Sequence, residues 1–130
     1  MKIEIDYIKD ANDSEKERVV FKVNQPTNLG MYVVAESIKV GELSISSAIK
    51  NTFWLPDQEL KIGVLVVLYT KKGEKRSVAN DDGTTTFFYY WGLDKPLFSI
   101  KNSCVVMFET SWMFKPISDA DIKTDESVQV

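Results

Sequence analysis

The stretch Thr52-Phe-Trp-Leu-Pro-Asp-Gln-Glu-Leu-Lys-Ile-Gly63, continuing as Val64-Leu-Val-Val-Leu-Tyr69, decides the fold class. Pro56-Asp57 reads as a tight turn, because proline pre-sets φ and aspartate bonds its own backbone. Leu60-Lys-Ile-Gly63 leads out of that turn. Val64 to Tyr69 is β-branched or apolar at nearly every position and reads as a strand apolar on both faces.

Working outward, the same kind of segment recurs. Lys2 to Ile8 alternates at period two and places Ile3, Ile5 and Tyr7 on one side. Arg18 to Asn24 and Met31 to Glu36 are further strands, separated by a Gln25–Gly30 turn in which Pro26 fixes φ and Asn28 and Gly30 tolerate positive φ. Ser37 to Asn51 reads either as a strand through Val40, Leu43 and Ile45 or as a short helix over Ser46 to Lys50. Phe53 to Leu55 is a short strand. Lys71 to Thr84 is a polar connection that turns at Asp81-Asp-Gly83. Thr85 to Trp91, Cys104 to Phe108 and Trp112 to Phe114 complete the strands, with a turn at Lys101 to Ser103. Many short strands without a long amphipathic helix predict an all-β, antiparallel β-sandwich of one domain over residues 1–117. Residues 118–130 are expected to be an acidic, flexible tail: Asp119 to Val130 carries four acids against Lys123.

The chain has 130 residues, 44% of them apolar, enough for one core without a metal or disulfide. Cys104 is the only cysteine, so no internal disulfide and no four-cysteine zinc site can form. There is no histidine. That absence excludes Ser-His-Asp and Cys-His nucleophile activation and the usual zinc constellations. Catalysis by paired carboxylates, lysine or tyrosine stays open in principle but ranks last, because no two such groups lie in a recognisable motif; neither a catalytic residue, a metal nor a cofactor is expected. The net charge is −3 and supplies no global basic field for nucleic acid. The N-terminus lacks the apolar stretch of about 7–15 residues found in a signal peptide. A soluble, cytoplasmic chain that does not enter membranes is expected.

Two stretches carry a resemblance. Phe53-Trp-Leu-Pro-Asp-Gln-Glu-Leu-Lys-Ile-Gly-Val-Leu-Val-Val-Leu68 pairs an aromatic and a proline with Leu-x-x-Gly and a hydrophobic strand. Trp91-Gly92 with Leu97-Phe-Ser-Ile-Lys-Asn-Ser-Cys-Val-Val-Met-Phe108 reads as a closing hairpin around a polar turn. With Arg18 to Tyr32 as an opening hairpin, residues 18–109 resemble the lamin-tail domain, an immunoglobulin-like β-sandwich. Ile62 departs from the small residue or proline usual there, and Asn102-Ser-Cys104 replaces a glycine-containing turn. The resemblance implies a non-catalytic interaction module that contacts proteins and sometimes nucleic acid.

Three strands, Val64–Tyr69, Phe87–Trp91 and Cys104–Phe108, are apolar on both faces, whereas a sheet face in water should alternate. Something is expected to cover the outer faces: residues 37–51, the C-terminal segment, or a partner or second subunit. Phe87, Tyr89 and Trp91 are assigned to the core, which turns Phe88 and Tyr90 outward as candidate binding residues. Lys71, Lys72, Lys75 and Arg76 form a basic loop, a secondary candidate contact for phosphate or an acidic partner. Asp81-Asp82-Gly83 lacks the further ligands of a calcium loop and is read as a turn. Cys104 is read as a buried, inert thiol. The expected function is protein–protein binding, or homo-oligomer formation, through the apolar outer face. A nucleic-acid- or carbohydrate-binding domain using the same loop and aromatics is the alternative, and an inhibitor or immunity-type partner protein a further one.

Overall fold

The computed structural model describes residues 1–123. Residues 124–130, the end of the tail expected to be flexible, lie outside the described residues. Of that tail, Ser118 opens an exposed 3₁₀ turn, Asp119–Asp121, and donates its backbone N–H and its hydroxyl to the Asp121 carboxylate.

The strands are β1 (Ile3–Lys9), β2 (Arg18–Val23), β3 (Thr27–Asn28), β4 (Tyr32–Gly41), β5 (Ser44–Ile45) and β6 (Lys50–Trp54). They continue as β7 (Glu59–Leu60), β8 (Leu65–Lys71), β9 (Arg76–Ala79), β10 (Thr85–Leu93) and β11 (Ser103–Glu109). One sheet runs β1-β2-β8-β10-β9. The second runs β11-β4-β5, with β6 also on β4, and β3-β7 is a small ribbon. No helix among the described residues is long and apolar enough to cross a membrane.

The sheets share one core. Val19, Phe21, Val66, Leu68, Tyr89 and Trp91 come from the first sheet, and Tyr32 and Val34 from the second. Burying such side chains contributes about 1.5–3 kcal/mol each. Leu55 and Leu60, flanking the Pro56-Asp57 turn, enter the same cluster. Gly63 takes φ +86° just before β8, which explains the Leu-x-x-Gly lead-in: a Cβ disfavours that region. The fold is therefore the expected all-β sandwich.

Several expectations are corrected. The ladders are mostly antiparallel, but β8 and β10 pair in parallel, Thr86 with Leu65 through Tyr90 with Tyr69. The polar connection 71–84 contains a strand, β9, exposed on both faces and paired only to β10. The 37–51 segment is strand at both ends, and no helix forms over 46–50. Trp112 to Phe114 is not a strand. In β1 a register shift between Ile5 and Tyr7 turns Tyr7 out opposite Val20, while Ile8 packs against the core.

Buried Glu17 ties the first sheet to the chain beyond β10. One carboxylate oxygen accepts Thr70 Oγ1 at 2.9 Å and the Leu97 N–H at 2.6 Å. The other accepts the N–H groups of Asn12 at 2.7 Å and Phe98 at 3.1 Å. With four donors the carboxylate is satisfied inside the protein, as a buried charge requires.

Candidate interaction face

Strand parity places each side chain. Val66 and Leu68 enter the core, so Leu65, Val67, Tyr69 and Lys71 stand on the opposite face of β8. In β10, Tyr89 and Trp91 enter the core, and Phe88 and Tyr90 face out, as expected. Strand order then does what spacing cannot show. Arg18 of β2 pairs with Tyr69, Tyr69 with Tyr90, and Phe88 with Arg76 of β9.

The result is a stacked row across the outer face of the five-stranded sheet. The Tyr69 and Tyr90 rings lie 5.4 Å apart at 12°, and Tyr69 and Phe88 6.5 Å apart at 27°. The Arg18 guanidinium sits 5.6 Å and the Lys71 ammonium 5.2 Å from the Tyr69 ring centre. The Arg76 guanidinium lies 4.1 Å from that of Phe88. These are cation–π distances, and the aliphatic stems shield the apolar face beneath. Val20 and Val67, though outward, are 4% and 8% exposed.

The loop between β8 and β9 supplies further cover. Because β10 lies between those two strands, the chain from Lys72 to Lys75 has to cross it. Gly73 makes that crossing over Tyr90, where an added Cβ would stand 2.4 Å from a ring carbon. The cover expected from residues 37–51 or the C-terminal segment is thus supplied on this sheet by the loop and by long cationic side chains. Residues 37–51 belong to the second sheet, where Ser37 Oγ donates to the Ser46 carbonyl at 2.7 Å.

Four of the six expected site residues, Lys71, Arg76, Phe88 and Tyr90, therefore share one face. Lys72 instead pairs with Asp94 at 2.8 Å; the carboxylate holds the ammonium above its ordinary pKa, and the ammonium holds Asp94 below its own. Lys75 lines a hollow with Asp57, Gln58 and Arg76 at the edge of the sandwich. Arg18 and Tyr69 belong to the row but were absent from the sequence-based set. Arg18 pairs with Asp10 at 3.0 Å and Lys71 with Glu15 at 3.7 Å. Arg76 and Lys75 enter no ion pair among the described residues. Asp81 to Gly83 is the expected turn: Gly83 takes φ +86°, and Asp82 accepts from the Thr84 hydroxyl, which lowers its pKa. Cys104 is half-buried rather than buried. No group of three or more potential metal ligands occurs among the described residues.

A separate hollow of about 590 Å³ lies beside β6, between Trp54 and Trp112. The two indoles meet edge to face, 4.8 Å apart at 76°. Met31, Pro56, Asp57 and Asn28 complete its walls. No protein-family model matches this chain, and neither a curated protein nor a solved structure matches it.

Proposed function

We propose that this chain is a non-catalytic binding module of the lamin-tail-like, immunoglobulin-like kind, and that it docks a protein partner on the outer face of the five-stranded sheet. The row Arg18–Tyr69–Tyr90 with Phe88–Arg76 carries the reading. Tyrosine and arginine are enriched at protein interfaces and among their hot spots; tyrosine offers large area at small conformational cost, and arginine a planar fork of donors. The rings stand stacked against one another and half-buried, so their faces are not offered outward. Arg76 and Lys75, in no ion pair among the described residues, bring positive charge to one rim, which suits carboxylates on the partner.

Base or sugar stacking on the same rings finds less support. Such stacking needs a free aromatic face, and the faces of Tyr69 and Phe88 are taken by each other and by cations. Two of the three cations on the rings are also neutralised by Asp10 and Glu15.

The test is affinity capture with the wild-type chain against Arg76→Glu and Tyr69→Ala. Both variants should fold, and both should lose the captured protein by tenfold or more. Undiminished capture would remove this face from consideration. Retention on heparin, abolished when Lys71, Lys72, Lys75 and Arg76 are changed to serine, would move the reading to nucleic acid.

A further inference from the structure

The hollow between Trp54 and Trp112 has a lining whose chemistry selects a ligand. Its aromatic walls form a corner, because the indoles meet at 76°. Trp54 is fixed in place: its indole N–H donates to the Gly30 carbonyl at 2.7 Å. Both tryptophans remain about half exposed, at 51% and 54%.

The polar side of the hollow is nearly all acceptor. Asn28 spends its amide donors on Asp57 and, at 2.9 Å, on Glu59. Its carbonyl oxygen is occupied by the Gly30 N–H at 2.7 Å. The Trp112 indole N–H is the one side-chain donor of the lining left unspent among the described residues. No cation pairs with Asp57 or Glu59 among the described residues, and no lysine or arginine lines the hollow. Lys75 and Arg76 share the neighbouring hollow with Asp57 yet stay beyond ion-pair distance. A sugar needs donors and acceptors in alternation, and an anion needs positive charge. Both are poorly served here.

An organic cation without strong hydration is well served. Indole faces attract such a group through their quadrupole, the more so when it is desolvated. A negative rim adds Coulomb attraction without demanding a donor in return. We infer that this hollow binds a methylated ammonium group, seated in the Trp54–Trp112 corner with its charge toward Asp57. The same chemistry is carried by a free choline-like molecule and by a methylated lysine side chain.

Titration of the full chain with choline chloride, followed by tryptophan fluorescence and the indole N–H resonances, tests the inference. The neutral isostere 3,3-dimethylbutan-1-ol serves as the control for simple apolar binding, and sodium chloride as the control for ionic strength. Choline should shift both indole resonances saturably, and the isostere should bind at least about tenfold more weakly. Trp112→Ala, on a segment outside every ladder, should abolish saturation. Asp57→Asn should weaken choline several-fold and leave the isostere unaffected. A trimethyllysine peptide that binds more tightly than choline would assign the cation to a protein tail, and the reverse order to a small molecule. Equal binding of choline and its isostere, or no saturable response to choline and the peptide alike, would overturn the inference.

Discussion

Single residues decide the local geometry in ways that substitutions can expose. Gly73 lies so close to Tyr90 that any Cβ collides with the ring. Gly73→Ala should cost about 1–3 kcal/mol through overpacking, read by urea denaturation, and should shift the Tyr90 ring resonances. Asn102 adopts φ +72°, the left-handed conformation a glycine would take with ease. Asparagine is among the few non-glycine residues that tolerate that region. Asn102→Gly should leave the thermal midpoint unchanged or raised, whereas Asn102→Val should lower stability by about 1–2 kcal/mol. Glu17 is a different case, a buried carboxylate with four donors around it. Glu17→Gln turns an amide N–H₂ toward donors and should cost about 3 kcal/mol, seen as a lower urea midpoint.

At the scale of elements, legibility followed residue type. β8, β10 and β11 were readable because they are β-branched, aromatic or apolar at nearly every position, and strand parity turned Phe88 and Tyr90 outward. β9 was not, because Arg76 to Ala79 is exposed throughout and has no apolar face to announce it. Trp112 to Phe114 misled for the opposite reason: the residues suit a strand, but no sheet edge receives them. The parallel β8–β10 pair depends on strand order, which no local pattern carries. For that reason Arg18 and Tyr69 went unread as site residues, although Tyr69 shares the outward parity of Leu65 and Val67. Parity alone also understates burial on this face. Val67 sits on the central strand under the aromatic row, and Val78 faces the same way on the edge at 40% exposure. Val67→Asp should unfold the chain, while Val78→Asp should change stability by no more than about 0.5 kcal/mol, both measured by chemical denaturation.

Over the whole molecule, two buried tyrosines make stability depend on alkaline pH. Burial raises the pKa of Tyr32, with its hydrogen bond to Glu109 adding to the effect, and burial raises that of Tyr89. A raised phenol pKa means the folded state keeps its proton longer than the unfolded chain, which releases it near about pH 10. The stability these groups contribute is fully present below that value and is lost as pH climbs through their folded pKa values. The thermal midpoint should therefore fall above about pH 10, and Tyr32→Phe should flatten the fall.

The position of β10 between β8 and β9 also bears on how the chain emerges from a ribosome. β8 is complete at Lys71, yet the neighbour that closes its second edge is not finished until Leu93. Through that interval a nascent chain presents an apolar strand with an unpaired edge, the form most prone to pair with another chain. The β9–β10 pairing is local, but with β9 exposed throughout, that hairpin is marginal until β10 docks beside β8. Slower synthesis across residues 72–93 should therefore raise co-translational aggregation, read as a larger insoluble fraction.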